Sequence, residues 1–304
     1  MFTRLLIPLD GSKTAEQIVP YARFFARRLK LPVELLAVVD VAGLLTSVER
    51  ARQLDKLIQD ATREGENYLG EVVNRFTGSR VKRTVEQGTA ADVIIDKAAA
   101  DKTTLIAMTT HGRSGLNRWL LGSVAEKVLR ATTNPLLLVR ASPEGKAQGE
   151  ASLNAIVVPL DGSNLAESVL PIVAKIAKKI GLEIFLFRAY SNPYSPFVSG
   201  GGHYAVNLDE LLASVRDEAR NYLEAKMAEL RKQGVEQISY LLQEGNAANE
   251  LVAMASDTSE SLIVMCSHGR SGVKRWMLGS VTESVVRHSN NPVLVLRPAI
   301  PGDG

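Results

Sequence analysis

The chain has 304 residues, room for two domains at the usual ~100–200 residues each. It is 45% hydrophobic and 23% charged, and 36 basic residues against 33 acidic ones leave a net charge of +3 with the signs mixed along the sequence. That balance gives no electrostatic footprint for nucleic acid, no apolar run approaches the roughly 18 residues of a membrane span, and the single cysteine, Cys266, excludes an internal disulfide framework and fits a reducing, cytoplasmic setting.

The first apolar run, Leu5 to Leu9, reads as a strand rather than a secretory leader, because Asp10 ends it too soon. Pro8 removes a ladder donor and so belongs at the carboxyl end of that strand, where pairing stops. After Asp10-Gly11-Ser12 comes a first helix, then a strand over Val33 to Val39. In the next stretch Leu54, Leu57, Ile58, Ala61, Leu69, Val72, Val73 and Phe76 recur at steps of three and four, the pattern of an amphipathic helix. Further strands are expected at Val81 to Val85, Thr104 to Met108 and Leu136 to Val139. Short continuous apolar or β-branched runs are what parallel strands covered on both faces look like, and their alternation with helices predicts a doubly wound α/β sheet. The polar stretch 142–152 reads as a linker.

The order then begins again. Leu6-Ile7-Pro8-Leu9-Asp10-Gly11-Ser12 returns as Val157-Val158-Pro159-Leu160-Asp161-Gly162-Ser163, with Asp10 and Asp161 151 positions apart. His111 to Ser123 returns as His268 to Ser280 with ten of thirteen residues identical, 157 positions on. Leu211, Leu212, Val215, Ala219, Leu223, Met227 and Leu230 repeat the long helical pattern. Pairing Glu34 with Glu183 implies that the second copy loses two residues late in its first helix and gains eight beyond its second strand. The added segment contains Ser191-Asn192-Pro193-Tyr194-Ser195-Pro196 and Gly200-Gly201-Gly202. A period of this size is a whole domain, so the chain reads as a tandem duplication with domains at 1–141 and 153–298.

Ligands of such sheets bind beyond the carboxyl ends of the strands, near the point where strand order reverses. Two loops of each half end there. In Asp10-Gly11-Ser12 and Asp161-Gly162-Ser163 the carboxylate suits ribose hydroxyls or a metal; the alternative is a helix N-cap. The second loop runs from Thr109 to Ser123, and from Cys266 to Ser280. Its glycines permit close backbone approach, and Gly122-Ser123 and Gly279-Ser280 open a helix whose N–H groups and dipole favour a phosphate. Ser123-Val124-Ala125-Glu126 and Ser280-Val281-Thr282-Glu283 also spell a capping box, which still leaves some first-turn donors. Arg113 and Arg270, ahead of Arg118 and Arg275, are candidates for phosphate charge, whereas Trp119 and Trp276 read as packing. His111 and His268 lack neighbours at metal-ligand spacing and are read as shaping the loop.

Gly-x-x-x-x-Gly-Lys-Ser/Thr, Gly-x-Gly-x-x-Gly after a strand, and Gly-x-Ser-x-Gly are all absent. A Walker-type NTPase, a dinucleotide dehydrogenase and an α/β-hydrolase therefore have no support. The glycine run with His203 is read as a mobile loop or a lid.

These residues together resemble a tandem universal stress protein. The resemblance rests on the Pro-Leu-Asp-Gly-Ser start of each half, the turns at Gly88 and Gly245 after the third strand, and the long loop followed by the Asn-Pro strand. It implies Rossmann-like domains, each a five-stranded parallel sheet flanked by helices in the order 3-2-1-4-5. It also implies a nucleotide loop of the form Gly-x-x-Gly-x9-Gly-Ser/Thr, which Gly112 to Gly122-Ser123 and Gly269 to Gly279-Ser280 match in spacing. Thr109 and Cys266 stand where that motif begins with glycine. Carried over position by position, the resemblance implies Pro8 and Asp10 near a ribose, the backbone of Val38 against adenine, and Thr109, Gly112, Arg113, Gly122, Ser123 and Val124 around the phosphates. The second site is then Pro159, Asp161, Phe187, Cys266, Gly269, Arg270, Gly279, Ser280 and Val281. Phe187 for Val38, with the longer insertion, implies pockets of unequal affinity.

The function so implied is that of a cytoplasmic stress-response protein that binds adenine nucleotide as a sensor or regulator. ATP is the expected ligand and AMP or ADP the alternatives, with magnesium reached through Asp10 and Asp161. Domain pairing through the last strands, Leu136 to Val139 and Val293 to Leu296, is implied inside one chain, with a homodimer as a further arrangement. A nucleotide-independent scaffold and a slow ATP hydrolase are the competing readings; the latter has neither a clear general base nor a Walker lysine.

Overall fold

The computed structural model describes residues 1–41, 54–111, 121–141, 149–191, 208–258, 260–267 and 278–297. The chain divides into two compact units, the first built on Met1–Ser152 with the strand Val293–Leu296 added, the second on Leu153–Gly272 and Gly279–Asn291.

In the first unit the chain runs β1 (Leu5–Pro8), α1 (Val19–Leu29), β2 (Val33–Val39), α2 (Leu54–Val73), β3 (Val81–Gln87), α3 (Ala90–Ala99), β4 (Leu105–Thr109), α4 (Ser123–Ala131) and β5 (Leu136–Val139). The five strands lie side by side as β3-β2-β1-β4-β5, all parallel. Leu5, Leu6 and Ile7 of the central strand are fully buried between helices on both faces, which is why this strand carries no polar residue before its end. Phe25 of α1 and Leu69 of α2 close over the sheet with no exposed surface, each worth about 2–3 kcal/mol on burial. Val293–Leu296 lies antiparallel beside β5 within this unit, with Leu294 facing Leu137.

The second unit repeats the pattern with β6 (Ala155–Pro159), α5 (Asn164–Glu167), α6 (Leu170–Ile180), β7 (Glu183–Tyr190), α7 (Leu208–Lys232), β8 (Ile238–Glu244), α8 (Ala247–Asp257), β9 (Ser261–Cys266) and α9 (Ser280–His288). Its strands run parallel as β9-β6-β7-β8. Gly88 and Gly245 turn the chain after β3 and β8 at φ of +142° and +139°. Such a φ is one that side-chain-bearing residues rarely adopt, so glycine is favoured at both turns.

Register corrects the internal alignment. Ile7 faces Leu35 and Val158 faces Leu186, so the first two strands of the copies remain 151 residues apart. The helices α1 and α6 are equally long, 11 residues each, and nothing has been lost between them. Val33 faces Val81 and Ile184 faces Ile238, which puts the third strands 157 apart. The insertion is therefore six residues, the difference between 157 and 151, rather than a loss of two and a gain of eight. The counterpart of Val38 is Ala189, whereas Phe187 corresponds to Leu36 and is buried in the core. The Glu34–Glu183 identity is a coincidence two residues out of step.

Glu34 itself marks the main chemical difference between the halves. Its buried carboxylate accepts from Arg4 and from the Thr84 hydroxyl, both at 2.8 Å, with Lys82 and Lys97 each at 3.4 Å. Burial alone would raise its pKa, but Thr84, Lys97, Lys82 and Arg4 outweigh burial and hold it below its ordinary 4.5. The matching positions of the second unit are Phe185, Ala155, Leu241, Ser239 and Met254. One copy holds a satisfied ionic network here and the other carries mainly apolar residues at the matching positions, an exchange that is often close to neutral.

Because the folded-state pKa of Glu34 is depressed, its contribution is complete above the ordinary carboxylate range and lost as pH falls through the folded value. Glu34→Gln is expected to cost about 1–3 kcal/mol at pH 7, with the loss shrinking below about pH 4. Urea unfolding midpoints compared at pH 7 and pH 3.5 check this.

Candidate functional site

Parallel pairing brings the two chemistry-bearing loops of each half to one place. In the first unit Leu5 pairs with Leu105, so the carboxyl ends of β1 and β4 stand side by side at about the 4.8 Å spacing of neighbouring strands. The chain leaves β1 toward β2 on one side and returns to β4 on the other, which makes this the switch point where α/β sheets bind ligands. The β6 and β9 ends have the same relation, with Ala155 paired to Ser261.

β1 ends at Pro8 and β6 at Pro159, after which Leu9 and Leu160 each donate one more backbone bond, at 2.8 Å, to Leu36 and Phe187. The chain then turns through Gly11 and Gly162 at φ of +83° and +87°. Asp10 Oδ1 accepts from the Ser12 amide at 2.9 Å and from its hydroxyl at 2.6 Å; Asp161 Oδ1 accepts from Ser163 with the same two distances. The serine oxygen in turn accepts from the Ala15 amide at 3.0 Å, and from the Ala166 amide at 3.2 Å in the second unit. The cap of the following turn is thus the serine, and the aspartate holds the serine in place.

Across the switch point β4 ends at Thr109 and β9 at Cys266, both buried. The Thr109 hydroxyl donates to the His111 carbonyl at 2.6 Å, so it is engaged within its own loop. The ring of His111 approaches the Thr110 hydroxyl through Nδ1 at 3.0 Å, while its Nε2 is buried without a hydrogen-bond partner among the described residues. In the second unit Thr282 takes the place of Ala125 and donates to the Cys266 carbonyl at 3.0 Å.

The helix starts depart from the capping box expected above. Gly122 and Gly279 are the N-caps, Ser123 and Ser280 are the first helical residues, and no side chain caps either helix. Glu126 and Glu283 receive Arg130 and Arg287 one turn later, at 3.1 Å and 2.8 Å. Gly122 donates to the Thr110 carbonyl at 2.8 Å and Gly279 to the Ser267 carbonyl at 2.9 Å. A side-chain carbon on Gly122 would sit 3.0 Å from that Thr110 oxygen. Glycine lets the helix start press against the strand end, and the N–H groups of Ser123, Val124, Ser280 and Val281, which no N-cap side chain satisfies among the described residues, stand at the positive end of the helix dipole, the usual setting for an anion.

Val38 and Ala189, both half-buried, end the neighbouring strands beside the aspartate loops. Gly112, Arg113, Arg118, Trp119, His268, Gly269, Arg270, Arg275, Trp276 and the Gly200-Gly201-Gly202-His203 run lie outside the described residues. No group of three or more His, Cys, Asp or Glu at metal-binding distance occurs among the described residues, and none of the described helices is long and apolar enough to cross a membrane.

The sequence model of the universal stress protein family matches residues 1–140 and 153–297, one copy in each half. The chain belongs to the universal stress protein family. A universal stress protein of Methanocaldococcus jannaschii, MJ0531, is 36% identical over 151 residues, covering 49% of this chain and 85% of that protein. A universal stress protein of Mycolicibacterium smegmatis is 22% identical over 307 residues, covering 97% of each chain. The crystal structure of a universal stress protein from Archaeoglobus fulgidus matches 97% of this chain and 98% of its own with a TM-score of 0.71 at 21% identity, which shows a shared fold.

In this universal stress protein Gly122→Ala is expected to lower stability by about 1–3 kcal/mol, since the new carbon must displace backbone rather than a mobile side chain. Thermal unfolding of the variant against the parent checks this, and an unchanged midpoint would contradict the close approach.

Proposed function

We propose that each half binds one adenine nucleotide, ATP first among them, and that the protein acts in the cytoplasm as a nucleotide-responsive regulator of stress physiology. The observation that carries this reading is the duplicated pairing of an aspartate loop with an uncapped, glycine-opened helix start across one switch point. The chemistry of the parts fits a nucleotide. The carboxylates of Asp10 and Asp161 suit ribose hydroxyls or a phosphate-bound magnesium. The amides following Gly122 and Gly279, with Gly112, Arg113, Gly269 and Arg270 of the loops, suit the phosphates. Val38 and Ala189, beside Pro8 and Pro159, suit the ring. The engagement of the Thr109 hydroxyl with its own loop supports tolerance of a side chain there, and Cys266 is its buried counterpart. Joining of the halves through their last strands is part of the proposal, supported by the antiparallel register of Val293–Leu296 with β5.

Titration calorimetry with magnesium-ATP tests the reading. The parent chain is expected to take up two equivalents, Asp10→Ala and Asp161→Ala about one each, and the double variant none. Loss of a hydrogen bond to a charged group corresponds to a weakening of roughly 10- to 100-fold at the altered site. Absence of binding by the parent chain would overturn the proposal and favour a scaffold.

A further inference from the structure

Beside each aspartate loop stands a polar group that nucleotide binding leaves without a role. In the second unit Tyr222 of α7 donates its hydroxyl to Glu167 at 2.9 Å, and Lys226 pairs with the same carboxylate at 2.9 Å. The Arg188 guanidinium lies 4.7 Å over the Tyr222 ring. The first unit holds the counterparts Glu16 and Tyr68, with Arg75 paired to Glu16 at 2.7 Å. Tyr68 and Tyr222 sit in matching Asn-Tyr-Leu triplets, 154 residues apart.

The cations, by contrast, do not correspond. At that offset the counterpart of Arg75 is Glu229, and the counterpart of Lys226 is Val72. A positive charge therefore reaches the corresponding glutamate from within α7 in the second unit and from the turn after α2 in the first. Each glutamate thus keeps a tyrosine and a cation beside it although the cation comes from a different position in the two halves.

The group has a direct mechanical route to the aspartate. Glu167 follows Ala166, whose amide is bound by Ser163, whose hydroxyl and amide are bound by Asp161. The same links run from Glu16 through Ala15 and Ser12 to Asp10. Burial first, then the charge of Glu16 and its hydrogen-bonding approach, and then the charge of Asp10 keep the Tyr68 phenol protonated above its ordinary range; burial and Glu167 do so for Tyr222. Both are thus neutral donors at physiological pH. The two differ in closeness: Glu16 is near enough to the Tyr68 hydroxyl to raise it, yet that hydroxyl has no partner at full hydrogen-bond geometry among the described residues, so its hold on the loop is the weaker.

We infer that Tyr222, Glu167 and Lys226 are positioning residues for the Asp161 loop, that the corresponding Tyr68 contact is looser, and that the second half consequently binds nucleotide more tightly than the first. The affinity part rests on the nucleotide reading above; the positioning part does not.

Two measurements separate these. Magnesium-ATP is titrated into Asp10→Ala, which leaves the second site, and into Asp161→Ala, which leaves the first, each with and without Tyr→Phe in the site that remains. The second site is expected to bind at least about fivefold tighter; Tyr222→Phe weakens it about tenfold, whereas Tyr68→Phe changes the first site by less than about twofold. Amide exchange of the ligand-free full chain supplies the other readout. Tyr222→Phe is expected to speed exchange at Ser163 and Ala166 about tenfold with sheet amides such as Val157 unchanged, and Tyr68→Phe to leave Ser12 and Ala15 within about twofold. Glu167→Gln, which still accepts from Tyr222, is expected to retain most of the slow exchange. Unchanged exchange at Ser163 in Tyr222→Phe, or a rise spread evenly through the sheet, overturns positioning; equal affinities of the two sites overturn the asymmetry. A parent chain that binds no ATP sinks the nucleotide reading and the affinity part with it, while the exchange data still decide the positioning part.

Discussion

One backbone hydrogen bond per half sets the geometry on which the candidate site depends: Gly122 to the Thr110 carbonyl at 2.8 Å, and Gly279 to the Ser267 carbonyl at 2.9 Å. It seats the start of a helix against the end of a strand. Neither partner contributes a side chain, so the approach is close and the next amides of the helix keep their donors. The sheet does the remaining work. β4 and β9 lie beside β1 and β6, which bring Asp10 and Asp161 to the same edge. A carboxylate and the positive end of a helix dipole are thereby held at one end of the sheet by strand pairing together with this bond.

The duplication separates what the fold needs from what the site needs. Away from the strand ends the copies have diverged freely. Glu34 with its four polar partners in the first corresponds to Phe185 in the second, where the partners' positions carry mainly apolar residues. At the strand ends the hydrogen bonds recur almost distance for distance, from Asp10–Ser12 to Asp161–Ser163. Divergence at the far end of the sheet and repetition at this one locate the constraint at the switch point.

Much of this architecture was legible in the residues because burial on both faces leaves a continuous apolar signature. Val33–Val39 and Leu136–Val139 form strands with the bounds their sequence suggested. β3 runs two residues beyond its apolar stretch, to Gln87, because it borders the sheet and its Lys82, Arg83 and Gln87 face solvent. The capping box was misleading: its serine has the right spacing to its glutamate, but the glycine before it has already taken the cap position. Phe187 was placed wrongly for a similar reason, one shared glutamate outweighing a register that only strand pairing reveals. The tyrosine–glutamate group escaped notice because its members are scattered along the chain; the repeated Asn-Tyr-Leu triplet was the signal that marked it.

The most direct test of the central claim is to denature freshly purified protein and to identify and quantify the released nucleotide by chromatography, per chain. The account predicts adenine nucleotide at between one and two equivalents, with one equivalent expected if the more tightly holding second half alone survives purification. Protein that releases none, and takes up none when magnesium-ATP is added back, would contradict it.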